Sequence, residues 1–168
     1  MVMIETPRLR IREFTEADFP ALFALVSNPE VMRFSEGLED EATARARLKS
    51  FIQSYRTRGY GKWALVEKAT GRLIGYCGFG TEEIDGVMMP ELGYRLFPAY
   101  WGCGLATEAA IACSQYAEDH HCFPRYLGFT HPGNTGSQNV LRKVGLKLIG
   151  ERPYHGYTVI VFEKHLSP

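Results

Sequence analysis

The densest chemistry in the sequence lies between Pro98 and Ala109, which reads Pro98-Ala99-Tyr100-Trp101-Gly102-Cys103-Gly104-Leu105-Ala106-Thr107-Glu108-Ala109. An extended segment ends there, two glycines let the backbone turn tightly, and a helical pattern begins. Main-chain N–H groups at such a junction have no partner inside the helix, and the helix dipole adds positive potential. The arrangement suits a phosphate or pyrophosphate. A GxxxxGK[ST] loop is ruled out, because both its lysine and its spacing are missing. A dinucleotide fingerprint asks for a third glycine, where Thr107 stands, and for an acid about 20 residues later. That acid is missing too, since nothing from His120 to Gly150 is acidic. A turn with a purely structural purpose remains the competing reading.

The same acid-free stretch carries Arg125, Arg142, Lys143 and Lys147 with three histidines, whereas residues 1–119 hold 17 of the 19 acidic groups. A local field of that sign also suits an anion. His120-His121-Cys122 does not read as a metal site, because adjacent histidines on a helix point in different directions. No metal is expected. The four cysteines, Cys77, Cys103, Cys113 and Cys122, show no CxxC spacing and read as reduced thiols of a cytoplasmic protein.

The elements that hold the turn can be read from pattern. The 168 residues, 45% hydrophobic and 12% aromatic, suit one domain over residues 1–168 with a core that needs no staple. Zero net charge argues against a nucleic-acid or membrane-surface partner. No apolar run is long enough to span a bilayer, and no signal-peptide pattern opens the chain. Leu9–Phe14 alternates as a first strand. Thr15 and Asp18 form a capping box for a helix with Phe19, Leu22, Phe23 and Val26 on one face. Asn28-Pro29 breaks it and opens a short second helical turn. Asp40–Thr57 is an amphipathic helix ended by Gly59-Tyr60-Gly61.

Trp63–Val66 and Leu73–Phe79 form a hairpin turning at Gly71. A loop over Glu82–Val87 leads to a strand over Glu91–Leu96. Then follow a helix over Gly104–Asp119, a strand over Arg125–Thr130, a helix over Gln138–Val144 and strands over Leu146–Glu151 and Tyr157–Phe162. The order β-α-α-β-β-β-α-β-α-β-β is an α/β chain, with antiparallel strands first and a parallel βαβ in the middle of a mixed sheet. Trp63, Met88 and Met89 read as core residues, and Arg8, Arg10 and Arg12 as one solvated or ion-paired strand face.

Trp101 to Ala109 resembles the acetyl-coenzyme A loop of the GNAT N-acetyltransferase superfamily, in particular its RimJ/RimL-like branch. The superfamily pattern [RQ]xxGx[GA] maps onto Trp101–Ala106, with Gly104 and Ala106 in register and Trp101 in place of Arg or Gln. Other segments match in order. They are Glu5–Arg12 with Thr15–Asp18, the hairpin Gly71–Gly78, Glu91-Leu92-Gly93-Tyr94, Pro132–Ser137 and Lys143-Val144-Gly145-Leu146. The likeness covers nearly the whole chain.

The resemblance implies a pair of splayed central strands that accepts the pantetheine arm of acetyl-coenzyme A. Amides from Gly102 through Cys103, Gly104, Leu105 and Ala106 to Thr107 would hold the pyrophosphate. Asn134 would bond the pantetheine arm, and Arg142 or Lys143 would sit near the nucleotide phosphates. The N–H of Leu96 or Phe97 would polarise the acetyl carbonyl. Glu91, starting its strand beside the slot, is the expected general base, with His131 and Tyr94 as weaker contenders. Many superfamily members carry a tyrosine acid where Leu141 stands here, and Ser137 is the expected substitute.

Cys103 replaces the loop cation of many relatives. The implied activity is direct acetyl transfer to a primary amine, either a protein N-terminal amine or a small molecule, by a monomer or homodimer. Helices one and two and the final strands would form the acceptor pocket. Asp40, Glu41, Glu82, Glu83 and Asp85 would attract a cation there or serve as solubilising surface. The alternative is an acyl-coenzyme A sensor that keeps the loop but makes no use of Glu91 or Ser137.

Overall fold

A computed structural model describes residues 1 and 3–168, with only the backbone of Met3. Its strands are β1 (Met3–Glu5), β2 (Leu9–Arg12), β3 (Lys62–Glu67), β4 (Leu73–Ile84), β5 (Val87–Leu96), β6 (Arg125–Thr130), β7 (Lys147–Tyr154) and β8 (Tyr157–His165). The α-helices are α1 (Phe19–Val26), α2 (Glu41–Arg58), α3 (Leu105–Asp119) and α4 (Thr135–Val144). The strands form one mixed sheet in the order β1-β2-β3-β4-β5-β6-β8-β7. Each hydrogen-bonded neighbour pair is antiparallel except β5 and β6, which flank α3 and run parallel.

The sheet buries a different apolar set on each face. Leu9, Ile11, Trp63, Cys77, Phe79, Leu92 and Leu96 pack with Leu105, Ala109, Cys113 and Ala117 of α3 and Leu141 of α4. On the other face, Ala64 and Tyr76 pack with Leu22, Leu25 and Val26 of α1 and Ala44, Leu48 and Phe51 of α2. The period of two along each strand sorts side chains between these layers. Trp63 belongs to the α3 layer and is fully buried.

Local signals behave as their chemistry directs. Thr15 and Asp18 form the capping box, at a short 3-10 turn that leads into α1. Asp40 caps α2 by accepting from Thr43 N at 2.8 Å, and Gly59 ends the helix in the left-handed region. Several expectations are corrected. The segment Glu82–Val87 is strand rather than loop, because Asp85 and Gly86 both take positive φ and close a two-residue hairpin turn. Glu91 therefore lies inside β5 instead of starting it. Residues 29–34 form turns and add no helix, while β1 adds an edge strand that the alternation from Leu9 does not reveal. Met88, expected in the core, is 59% exposed near the β4–β5 tip.

One interruption positions the site. β4 and β5 pair along their length, but only Glu91 with Leu127 joins β5 to β6. Beyond that pair the two parallel strands part toward Leu96 and Thr130. This is the expected splay.

Candidate active site

The glycine turn sits at the open end of the splay. After Leu96 the chain makes a 3-10 turn over Pro98–Tyr100 and reaches Gly102 and Gly104 with φ of 72° and 82°. Gly104 is the N-cap of α3 and brings no capping side chain. The first helical bond runs from Glu108 N to Gly104 O. Among the described residues, the N–H groups of Gly102, Cys103, Gly104, Leu105, Ala106 and Thr107 donate to no protein acceptor. Six consecutive donors are thus left for a ligand, and Gly102, Cys103 and Gly104 are exposed.

A side-chain clasp braces this loop from β1–β2. Glu108 accepts from Thr6 Oγ1 at 2.6 Å, Arg8 N at 2.9 Å and Arg8 Nε at 2.7 Å. Arg8 Nη1 donates to Cys103 O at 2.8 Å. The Arg8 guanidinium therefore stands against the glycine loop beside Cys103. Of the two expectations for the Arg8 strand face, solvated or ion-paired, Arg8 is paired, and the fold links it to the loop. Arg10 and Arg12 are paired as well, with Glu5 and Asp18.

Leu96 and Phe97 separate in role. Phe97 N donates to Ile74 O at 3.0 Å, so that N–H is spent within the sheet. In an antiparallel ladder the next residue faces its polar groups the other way, so Leu96 presents its N–H and C=O toward the slot. Its carbonyl accepts from Trp101 Nε1 at 2.8 Å, which seats the indole on the slot rim.

Glu91 and Ser137 lie on opposite sides of β5. Glu91 projects to the α1/α2 face, is 8% exposed, and pairs with Lys62 Nζ at 3.0 Å. Burial pushes its carboxyl pKa up, and the Lys62 ammonium opposes part of that rise. Lys62 Nζ also donates to Gly78 O at 3.1 Å. A Cβ on Gly93 would strike Lys62 Nζ and come within 3.1 Å of Glu91 Oε1, so the bare backbone there makes room for the pair.

On the α3/α4 side, Tyr94 Oη donates to Ser137 O at 2.8 Å and lies 2.9 Å from Ser137 Oγ. With the phenol proton on the carbonyl, Ser137 Oγ donates to Tyr94 Oη. Burial pushes the Tyr94 phenol up, so it keeps its proton and is a poor base.

The other candidates are less engaged. Asn134 is the N-cap of α4, where its Oδ1 accepts from Ser137 N at 3.2 Å. Arg142 lies in the last turn of α4 with its guanidinium 5.2 Å from the centre of the Phe162 ring. No contact joins it to the glycine turn. His131 Nδ1 accepts from Gly133 N at 2.9 Å and its ring stacks on Phe34. Arg125, in the acid-free stretch, is paired with Glu163 at 2.8 Å. Asp40 serves as a cap, Glu41 pairs with Arg45 and Asp85 with Arg152. Glu82 alone of the acidic candidates shares the Glu91 face, where Tyr154 Oη donates to it at 2.9 Å. No cluster of three His, Cys, Asp or Glu side chains able to hold a metal occurs among the described residues.

A sequence model of the acetyltransferase (GNAT) domain matches residues 8–147. The chain belongs to the GNAT acetyltransferase family. The uncharacterized protein YkkB of Bacillus subtilis (strain 168) is 32% identical over 142 residues, 84% of this chain and 83% of that protein. The uncharacterized N-acetyltransferase YoaA of the same organism is 29% identical over 150 residues, 88% of this chain and 84% of that one. The acetyltransferase of Agrobacterium tumefaciens str. C58 superposes with a TM-score of 0.86 at 25% identity, covering 98% of this chain and 95% of that one. A RimL ribosomal L7/L12 α-N-protein acetyltransferase solved with coenzyme A shares the GNAT fold, with a TM-score of 0.80 at 18% identity over 98% of each chain. Among the described residues no helix is long and apolar enough to cross a membrane.

Proposed function

We propose that residues 1–168 act as one acetyl-coenzyme A-dependent N-acetyltransferase domain that delivers the acetyl group to a primary amine by direct attack in a ternary complex. The observation that carries this reading is the run of six unspent N–H groups from Gly102 to Thr107 at the mouth of the β5–β6 splay. A diphosphate matches those donors, and an extended pantetheine arm matches the Leu96 edge. Family membership supports the acetyl donor, and the RimL relative is itself solved with coenzyme A.

In this reading the amine approaches from the α1/α2 face and the thioester from the slot. Glu91 accepts the proton of the attacking amine, directly or through an ordered water. The Leu96 N–H stabilises the developing oxyanion. The new C–N bond forms as the C–S bond breaks. Ser137 Oγ turns its hydrogen from Tyr94 to the departing thiolate and passes it on as it accepts a proton from solvent, and Glu91 returns the amine proton to solvent. Asn134 still has its amide NH2 for the pantetheine arm.

Thiol release with acetyl-coenzyme A and a panel of peptides, amino acids, polyamines and aminoglycosides tests the proposal. Transfer requires release that depends on both substrates. Thermal protection by coenzyme A without release from any amine would instead establish an acyl-coenzyme A sensor. Equal protection by ATP or NAD would remove the coenzyme A reading altogether.

A further inference from the structure

The face of β5 that carries Glu91 also carries Arg95, four residues nearer the open end of the splay. Three cations face this groove, and two have carboxylate partners. Lys62 is paired with Glu91, and Arg47 with Glu39. Arg95 is different. Its Nε donates to Tyr76 Oη at 2.7 Å, and its Nη1 lies 2.6 Å from Ser35 Oγ and 2.7 Å from Met32 Sδ. Among the described residues none of its hydrogen-bond partners is a carboxylate, and both N–H groups of Nη2 are unspent. Neutral groups from β4 and from the segment after α1 thus hold a half-buried guanidinium in a fixed pose while leaving its charge unanswered. The charge reaches the reacting region, since it acts on both Glu91 and Tyr157.

The two N–H groups left on Nη2, with the unanswered positive charge behind them, can donate to an anion. Gly93 stands between Arg95 and Glu91, and the space over it holds the Lys62 ammonium against Glu91, at the end of the face away from Arg95 Nη2. Cα atoms four residues apart on a strand are separated by about 13 Å. A span of that order matches a compact acceptor whose amine meets Glu91 and whose anion meets Arg95. Resting on the transferase reading above, we propose that Arg95 recognises a carboxylate on the acceptor, so that the preferred substrates are amines of the amino-acid class. That carboxylate is either the α-carboxylate of a free amino acid or the acidic side chain of a short peptide.

The test is thiol release from acetyl-coenzyme A with free amino acids, their carboxamides, tetrapeptides with and without an acidic second residue, and spermidine. The expected result is a kcat/KM at least about tenfold higher for carboxylated acceptors than for matched amides. Whether free acids or acidic peptides lead tells the two carboxylate sources apart. Arg95→Gln should raise the KM of the acid about tenfold or more and erase the acid-over-amide preference, with the KM of acetyl-coenzyme A unchanged. Arg95→Lys should restore part of the preference, which a role confined to holding Ser35 and Met32 would not produce. Amides or spermidine turned over as well as acids, or a preference that survives Arg95→Gln, would overturn the inference while leaving acetyl transfer standing. If no amine releases coenzyme A, the transferase reading and this inference fall together.

Discussion

Lys62 Nζ rests 3.0 Å from Glu91 Oε2, with the two side chains 12% and 11% exposed. The contact stands over backbone that a side chain on Gly93 would obstruct. A carboxylate alone at this depth would take up a proton; beside an ammonium it can stay ionised and still reach the groove. The two influences set the pH at which Glu91 can accept a proton. Burial moves its pKa upward and Lys62 moves it back down.

Removing Lys62 should therefore shift the acid side of the pH–rate profile. Glu91 works as a base only when deprotonated, so kcat/KM falls as pH drops through its raised pKa. In Lys62→Met the opposing charge is gone, and the acid limb should move to higher pH by about 1 to 3 units. Lys62→Arg should leave it near its original position. An acid limb that ignores Lys62→Met would show that another group takes the proton.

Glu91→Gln keeps the shape and removes the base. We expect kcat to fall by about 10²- to 10⁴-fold while the dissociation constant of acetyl-coenzyme A, measured by calorimetry, is unchanged. Equal turnover by the variant would assign the base to water alone.

Ser137 and Tyr94 share one hydrogen-bonded unit, so their substitutions should not be additive. Ser137→Ala is expected to slow thiolate protonation about tenfold or more, and Tyr94→Phe to slow it less, by loosening Ser137. In the double variant the two losses should overlap. A pair of independent, fully multiplicative effects would argue against a common path.

Gly104 takes a φ of 82°, which alanine adopts at a cost of about 1 kcal/mol. Gly104→Ala should lower the melting temperature slightly and weaken acetyl-coenzyme A binding more than it weakens the fold. Thermal melts with and without the cofactor separate the two effects. A variant that binds at full strength would show that the donors need not keep this geometry.

The clasp around Glu108 makes a prediction about acid stability. Burial raises its pKa, but hydrogen bonds from Thr6, the Arg8 N–H and the Arg8 side chain outweigh that and leave it below the ordinary 4.5. A carboxylate whose folded pKa is depressed stabilises the fold above its unfolded value. That contribution disappears as pH falls from there through the folded value. The melting-temperature gap between the native chain and Glu108→Gln should thus be open near neutral pH and close in acid. A gap constant over that range would place the effect of Glu108 outside its ionisation.

The sequence reveals the architecture because neighbours in the chain decide most of it. The capping box at Thr15, the Asp40 cap, the Gly59 stop, the alternation in β2 and the apolar run of β3 are each local. The β4–β5 tip differs from its loop-like composition for a local reason as well: Asp85-Gly86 is a two-residue hairpin turn set among charges that resemble a loop. The glycine turn was legible because unpaired amides follow from backbone type alone. The side-chain partners were not. Lys62 meets Glu91 across 29 residues, Arg8 meets Glu108 across 100, and Arg95 meets Ser35 across 60. Nothing in the spacing of those pairs announces them; the sheet order brings them together. Arg142 has its guanidinium 5.2 Å from the Phe162 ring centre, another neighbour that the spacing does not announce.

The chain carries two tryptophans, and they occupy very different surroundings. Trp63 is sealed in the core, whereas Trp101 is 41% exposed on the rim next to Leu96. Titration of the cofactor should therefore modulate the emission of one indole against the constant signal of the other. The protein brings its own optical reporter for occupancy, and Trp101→Phe should silence it.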